Sequence, residues 1–142
     1  MGMGEPSVPR PRAPACPLCA RIAAGDVLRE SADGLAVALG DAFPLAEGHT
    51  LVIPRRHEPD LLGLTREESS ALWSLAIELC RELRKTYGAD GLTVGVNAGE
   101  AAGQTVTHVH LHIVPRHSGD VPDPRGGVRW VLPEKAAYWE DE

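Results

Sequence analysis

Three histidines alternate with aliphatic residues in the segment His108-Val109-His110-Leu111-His112-Ile113-Val114. A β-strand sends successive side chains to opposite faces, so in a strand the three imidazoles would share one face over roughly 13 Å. The aliphatic residues between them would then enter a hydrophobic core. Imidazole can act as a nucleophile, a general acid or base, or a metal ligand. We therefore interpret the segment as part of a chemical site rather than as a polar strand face that happens to be rich in histidine.

The segment that precedes the histidines is suited to binding an anion. It runs from Asn97 to Thr105 and contains Gly99 and Gly103. Glycine permits tight turns that direct backbone N–H groups to a common point. The side chains of Gln104 and Thr105 add further hydrogen-bond donors. An ordinary glycine-containing turn is the alternative, but the position next to the histidines favours a phosphate site.

Composition predicts one soluble globular domain. The chain has 142 residues, of which 43% are hydrophobic and 24% charged, which is enough to build a real core. A net charge of −6 argues against a nucleic-acid binder that works by phosphate neutralisation. No stretch approaches the roughly 20 apolar residues of a membrane span, and no apolar run of the signal-peptide type follows Arg10 and Arg12. We expect a cytoplasmic protein.

The elements that must position the histidines follow from local patterns. Thr65 and Glu68 form a capping-box pattern before an apolar stripe, which predicts a helix over Arg66–Tyr87 that stops at Gly88. A short helix is predicted at residues 17–24. Five strands are predicted at Val27–Ser31, Leu35–Leu39, His49–Ile53, Gly91–Asn97 and Thr107–Val114. One long helix on a face of these strands indicates an α+β fold with an antiparallel sheet. Residues 1–15 are expected to be a flexible leader, and 16–142 one domain with an irregular C-terminal tail.

The cysteines suggest a metal site. Cys16 and Cys19 form a C-x-x-C pair, and Cys80 stands alone in the predicted long helix. An odd count without an export signal indicates reduced thiols. We interpret Cys80 as a small buried hydrophobic residue. The pair fits a metal site, a redox pair or an unmetallated turn.

Three segments together resemble the histidine triad (HIT) superfamily. They are the alternating histidines followed by Pro115-Arg116, the stretch from Gly48 to His57, and residues 99–107, which are especially similar to the Fhit branch. That branch cleaves dinucleoside polyphosphates. The resemblance implies a HIT-like fold with a five-stranded antiparallel sheet, one long helix and a short N-terminal helix, and a homodimer that joins two sheets.

The resemblance also implies roles for individual residues. His110 would attack the α-phosphorus of a nucleotide and form a nucleotidyl-histidine that water hydrolyses. His112 would hold the phosphate or the bridging atom, and His49 would set the tautomer of the nucleophile through a hydrogen-bond relay. The residues implied in substrate binding are Asp41 for the ribose, Asn97, Gly103, Gln104 and Thr105 for phosphate, and Leu18, Ile22 and Leu39 for the base.

Other branches of the superfamily bind zinc through a C-x-x-C pair and two histidines. Here the corresponding residues are Cys16, Cys19, His57 and His108. A Cys₂His₂ set is a complete structural zinc complement, and it would tie the N-terminal segment to the sheet. The resemblance thus implies about one structural zinc ion per chain and no organic cofactor.

Other functions remain open at the level of the sequence. With the same chemistry, the protein could be a Hint-like nucleoside phosphoramidase, or a nucleotidyl transferase or phosphorylase. A hydrolase that binds a catalytic metal through all three triad histidines lacks the expected carboxylate, because Ile113 and Val114 follow the triad. A nucleotide-binding interaction module with little turnover is a further alternative. In the tail, Arg125 and Arg129 could contact distal phosphates.

Overall fold

A computed structural model describes residues 16–141 of the chain. Five strands form one antiparallel sheet in the order β1-β2-β3-β5-β4. Their bounds are Arg29–Glu30 (β1), Ala36–Gly40 (β2), Thr50–Pro54 (β3), Gly91–Val96 (β4) and Leu111–Arg116 (β5). The predicted α+β class and the antiparallel sheet are confirmed.

The helices lie largely where local signals predict them. Helix α1 covers Pro17–Ala23, and its N-cap is the Cys16 thiol. Helix α2 covers Arg66–Tyr87, begins with the predicted capping box and ends at Gly88, whose φ of 61° is left-handed. A third helix, α3, covers Pro133–Ala136. Single 3₁₀ turns occupy Leu61–Gly63, Glu100–Ala102, Gly127–Val131 and Tyr138–Asp141.

The sheet divides the molecule into two layers. On one face, Ala38, Val52 and Leu111 pack with Leu72 and Leu75 of α2 to form the main core. On the opposite face, Leu39 and Leu51 form a second core with Leu18 of α1. His112 lies on this second face, since the register pairs it with Leu51. The side of the sheet away from α2 therefore carries the chemistry.

Three expectations about element boundaries are wrong. Strand β1 covers only Arg29–Glu30 rather than Val27–Ser31, because its ladder with β2 is limited to these two residues. Strand β5 begins at Leu111, not at Thr107, because its ladders end there: Leu111 pairs with Val96, the last residue of β4, and its pairing with β3 stops at Val52. The Pro54 carbonyl instead accepts a hydrogen bond from the His108 imidazole (2.8 Å), and the Val109 N–H donates to the Glu58 carbonyl (2.8 Å). Val109 remains buried as expected. The tail after Pro115 is also less irregular than predicted, because β5 continues to Arg116 and short helical turns follow.

Among residues 16–141, no helix has both the length and the apolar character needed to cross a membrane. The predicted leader over residues 1–15 lies outside the described residues. The single domain from residue 16 onward stays a prediction.

Candidate active site and metal centre

Two of the triad histidines face a common cleft. The rings of His110 and His112 lie 5.2 Å apart, centroid to centroid. The cleft has a volume of about 390 Å³ and is bounded by α1, the β2–β3 loop and the segment before β5. We call it the His110 cleft. Seven residues of the predicted site line it: Leu18, Asp41, Asn97, Gly103, Thr105, His110 and His112.

The proton positions on His110 follow from its hydrogen bond. Nδ1 of His110 lies 2.8 Å from the carbonyl oxygen of His108. A carbonyl oxygen only accepts, so Nδ1 carries the proton and donates it. In the neutral ring, Nε2 is then the unprotonated nitrogen. His110 thus presents a lone pair while its other nitrogen is anchored to the backbone.

His49 lies behind His112 and connects it to the β2–β3 loop. The Leu45 N–H donates to Nδ1 of His49 (3.0 Å), so in the neutral ring Nε2 of His49 carries the proton. Nε2 of His49 lies 3.0 Å from Nδ1 of His112. Because Nε2 of His49 donates to Nδ1 of His112, the neutral His112 ring carries its own proton on Nε2. The relay that the resemblance implied for His49 therefore runs to His112, whereas His110 is oriented by the backbone.

Asp41 is placed between the relay and the cleft. Its Oδ1 accepts from the Phe43 N–H (2.7 Å), and its Oδ2 lies 3.4 Å from Nε2 of His49 and 3.8 Å from Nδ1 of His112. Burial lowers the pKa of His49 and of His112 below the usual 6.5, and the Asp41 charge partly offsets this. Both rings are therefore largely neutral at pH 7, as the relay requires.

The glycine-containing loop adopts turns that only glycine takes easily. Gly99 and Gly103 have φ of 94° and 97°, and they flank the 3₁₀ turn Glu100–Ala102. Gln104 lies outside the cleft lining, and its amide holds the loop together. Its Oε1 accepts from the Gly99 N–H (2.9 Å), and its Nε2 donates to the carbonyls of Pro59 and Val106. The loop thus offers Gly103 and Thr105 to the cleft, with Gln104 as a brace.

The residues predicted to contact a base are only partly at the cleft. Leu18 lines it. Leu39 is fully buried, and Ile22 packs against the second core. The sequence reasoning did not identify Phe43, Arg21 and Val106, which also line the cleft. Phe43 is an exposed phenyl ring. Its position two residues after Asp41, the predicted ribose ligand, was the signal that could have identified it.

The two cysteines and two of the histidines form a compact cluster. The ligand atoms of Cys16, Cys19, His57 and His108 all lie within 4.8 Å of one another. The Sγ atoms of Cys16 and Cys19 are each 3.5 Å from Nδ1 of His108, and Sγ of Cys19 is 3.2 Å from Nδ1 of His57. In tetrahedral zinc with Zn–S near 2.3 Å and Zn–N near 2.05 Å, the S···N edge is about 3.6 Å. The spacing therefore fits a zinc ion.

The orientation of His108 also fits metal binding. Its Nε2 donates to the Pro54 carbonyl, so Nδ1 presents its lone pair to the thiols. Burial lowers the pKa of His108, which favours the neutral, ligating form. Neither ring nitrogen of His108 is left for a metal shared with His110 and His112. The triad therefore does not converge on one catalytic metal.

An ion pair between half-exposed Arg56 and buried Glu68 anchors the segment that carries His57. Arg56 donates to both oxygens of Glu68 (2.8 and 2.9 Å), while Glu68 also caps α2 through the Thr65 N–H. Glu68 is 5% exposed. The Arg56 guanidinium holds the pKa of the Glu68 carboxyl at about 2. This pair fixes the chain beside His57 to the start of the long helix.

Known proteins are similar to this chain in sequence and in fold. Residues 30–119 match the HIT domain family. The bis(5'-adenosyl)-triphosphatase of Dictyostelium discoideum is 41% identical over 86 residues, which are 61% of this chain and 58% of that protein. A HIT-like protein of Mycobacterium tuberculosis is 40% identical over 106 residues, 74% of each chain.

The matched region covers only part of the length of several relatives. It spans 58% of a Mycoplasma genitalium HIT-like protein and 48% of the Arabidopsis thaliana bifunctional bis(5'-adenosyl)-triphosphatase/adenylylsulfatase FHIT. The crystal structure of a Zn-bound histidine triad family protein from Mycobacterium smegmatis matches with a TM-score of 0.67 at 34% identity, over 92% of this chain and 99% of that one. The five-stranded sheet, the His110 cleft and these matches agree, and the chain belongs to the HIT domain family.

Proposed function

We propose that the protein is a nucleotide hydrolase that cleaves at an α-phosphate through a nucleotidyl intermediate on His110. The observation that carries the proposal is the anchored His110 ring. Its Nδ1–H is held by the His108 carbonyl (2.8 Å), and its Nε2 lone pair is available at a cleft lined by Asp41, Asn97 and Thr105. A fixed nucleophile beside phosphate and ribose ligands is the arrangement that nucleotidyl transfer needs.

The first step forms a P–N bond. Nε2 of His110 attacks the α-phosphorus, and the bond from phosphorus to the leaving-group oxygen breaks with its electron pair on that oxygen. The Nδ1 proton stays on the ring, so the intermediate is a nucleotidyl-imidazolium. In the second step water attacks phosphorus, the P–N electron pair returns to Nε2, and the proton of the water is released to solvent.

His112 stabilises the charge that develops during both steps. The relay from the Leu45 N–H through His49 leaves a proton on Nε2 of His112. That N–H can donate to a phosphate or bridging oxygen, and preorganised donors of this kind supply a large share of catalysis. Thr105 and the backbone at Gly103 line the same cleft and add donors. Asp41 faces the relay and is the group that we propose for the ribose hydroxyls.

Dinucleoside polyphosphates are the substrates that we propose first. The relatives from Dictyostelium and Arabidopsis carry bis(5'-adenosyl)-triphosphatase in their names, at 41% and 43% identity. Both matches cover 86 residues. A nucleoside phosphoramidate would react at the same phosphorus, so turnover of both kinds of substrate must be compared.

We also propose that Cys16, Cys19, His57 and His108 hold a structural zinc ion. The fit of the donor spacing and the lone pair of His108 support this. When bound, zinc would cross-link α1 to the segments that carry His57 and His108 and stabilise the fold. His108 also supplies the carbonyl that anchors His110, so the metal site and the nucleophile share one short segment. A homodimer that joins two sheets across a two-fold axis remains our expectation.

The test compares His110→Asn with His117→Asn, an equivalent substitution at a histidine beyond the end of β5 that does not line the His110 cleft. The assay follows release of adenosine monophosphate from diadenosine tri- and tetraphosphate by chromatography, with adenosine phosphoramidate as the third substrate. We expect His110→Asn to abolish turnover and His117→Asn to retain it. Turnover by His110→Asn at the wild-type rate would refute the proposal. Turnover that survives a strong chelator in the wild-type assay would exclude a catalytic metal.

A further inference from the structure

We propose that Arg21 selects the base of the nucleotide, and that it favours 6-oxopurines, the class that includes guanine and hypoxanthine. The inference rests on the proposed function, because it concerns the nucleotide whose phosphorus His110 would attack. It adds a base preference that the dinucleotide proposal does not contain. Two relatives carry bis(5'-adenosyl)-triphosphatase in their names, so this preference would set the chain apart from them.

Helix α1 presents Arg21 to the His110 cleft. Leu18 and Arg21 lie three residues apart on this helix, and residues at that spacing share one helical face. Both side chains line the cleft. Leu18 is buried, whereas the Arg21 side chain is 25% exposed. The guanidinium of Arg21 is the one arginine or lysine group in the described lining of the cleft.

Two hydrogen bonds fix the guanidinium of Arg21 in place. Its Nε donates to Oδ2 of Asp26 (2.6 Å), and its Nη1 donates to the Gly40 carbonyl (2.7 Å). The Asp26 N–H in turn donates to the Arg21 carbonyl (3.0 Å), so Asp26 holds this residue at two points. An arginine that is already ordered loses little further conformational entropy when it binds a ligand.

The surroundings of Arg21 suit a base rather than a phosphate. The Asp26 carboxylate already balances the positive charge of the guanidinium. Gly40 directly precedes Asp41, the proposed ribose ligand, so its carbonyl places the guanidinium at the ribose end of the cleft. The reacting phosphorus belongs at His110 instead. The group that comes within reach of Arg21 is therefore the base that the ribose carries.

The N–H groups that remain on Arg21 match two neighbouring acceptors. A guanidinium has five N–H groups, and Arg21 has no hydrogen-bond acceptor among residues 16–141 besides Asp26 and the Gly40 carbonyl. One N–H on Nη1 and both on Nη2 are left, and they form a planar fork. O6 and N7 of a 6-oxopurine are two such acceptors. Adenine keeps N7 but has an amino donor at position 6, which would oppose an Arg21 N–H.

Apolar side chains of the same cleft would contact the faces of the base. The Phe43 ring lines the cleft and is 87% exposed, and half-buried Val106 lines it as well. A purine that stacks on Phe43 would cover this aromatic surface, which is favourable. Stacking tolerates every base, because each base has an aromatic face. The choice between purines therefore depends on Arg21.

The experiment measures the Kd of inosine monophosphate and of adenosine monophosphate by titration calorimetry. Wild-type protein should bind inosine monophosphate about 10-fold more tightly, the lower part of the range for an arginine fork on a base, because Arg21 is partly exposed. Arg21→Met keeps an unbranched apolar stem and removes every donor, so the two Kd values should become nearly equal, with little change for adenosine monophosphate. Arg29→Met is the matched control, because Arg29 is paired with Glu82 and does not line the cleft.

A second variant and a second ligand keep the test decisive if Arg21→Met fails to fold. Arg21→Lys retains a charge for Asp26 but has no fork, and it should also lower the ratio of the two Kd values. Guanosine monophosphate should bind the wild type more tightly than its 7-deaza analogue, which lacks the N7 acceptor.

Two results would overturn the base proposal and leave the hydrolase proposal intact. One is an equal Kd of the wild type for inosine and adenosine monophosphate. The other is an equal weakening of both nucleotides by Arg21→Met, because Arg21 would then only shape the cleft. Failure of the wild type to bind any of these nucleotides or to cleave any dinucleotide would overturn the proposed function itself.

Discussion

Glu68→Gln isolates the charge of the ion pair that fixes the chain beside His57. Glutamine keeps the shape of the side chain and still serves as the third residue of a capping box with Thr65. The substitution removes the attraction between the carboxylate and Arg56, whose two hydrogen bonds to Glu68 measure 2.8 and 2.9 Å. The result therefore measures the charge of the Glu68 carboxylate, which interacts most strongly with Arg56 and also accepts from the Thr65 N–H.

The magnitude follows from the pKa of Glu68. A fall from the ordinary 4.5 to about 2 corresponds to about 3 kcal/mol of differential stabilisation. The Arg56 side chain is 50% exposed, so solvent screens the interaction, and we expect Glu68→Gln to lower the free energy of unfolding by about 1 to 2 kcal/mol at pH 7.

The pH dependence gives the sharper test. Because the folded-state pKa is depressed, the contribution is fully present above about pH 5 and is lost as the pH falls toward 2. Urea unfolding of wild type and Glu68→Gln at pH 7, 5 and 3 should therefore give two stabilities that converge on acidification. Glu67→Gln is the control, because Glu67 is exposed in the same helical turn. A difference that stays constant between pH 7 and 3 would refute the reasoning, since it could not come from ionisation of Glu68.

Three further predictions follow from the site and its surroundings. Elemental analysis of the purified protein should find about one zinc ion per chain. The zinc should be lost in Cys19→Ser and retained in the control Cys80→Ser. Full stability of metal-free wild-type protein would contradict the zinc site. Burial lowers the pKa of His49, so wild-type stability should fall as the pH drops below 6.5. This group contributes at most about 1.4 kcal/mol per pH unit. If denaturation curves of His49→Gln gave the same dependence of stability on pH, His49 would be excluded as its source. Gly48 has φ of 87° and an added Cβ would lie 2.7 Å from the Tyr87 ring, so Gly48→Ala should lower stability by about 2 kcal/mol or more. Gly34→Ala, with φ of 76° and no atom nearer than 3.9 Å, should lower the melting temperature less, and equal losses would exclude the clash.

Local signals in the sequence predict much of the fold. The capping box at Thr65 and Glu68 predicts the start of α2, and Gly88 predicts its end, since both depend on neighbouring residues alone. The start of β5 was not predictable in this way, because a strand ends where its partners end. Leu111 ends the pairing of β5 with β3 and β4, opposite Val52 and Val96, and only the folded structure reveals that the Pro54 carbonyl binds His108 instead.

The candidate site likewise combines features that the sequence predicts with features that only the folded structure reveals. Residue types and family resemblance predicted the His110 cleft and the Cys/His cluster, because histidines, cysteines and glycines at these spacings are few and specific. They did not predict that Leu45 would supply the N–H that orients His49, because that contact depends on loop geometry and not on side-chain identity. They also did not predict the brace formed by Gln104, which depends on the fold bringing Pro59 next to this loop across a long sequence distance.

Intact-mass spectrometry of the protein during turnover tests the central claim most directly. Wild-type protein mixed with diadenosine tetraphosphate and quenched within the first turnovers should gain the mass of one adenosine monophosphate minus water, and peptide mapping should place it on His110. His110→Asn should show no adduct, and His117→Asn should show the wild-type amount. Rapid hydrolysis by wild-type protein with no phosphorus–nitrogen adduct at any quench time, or with an adduct on another residue, would contradict the account.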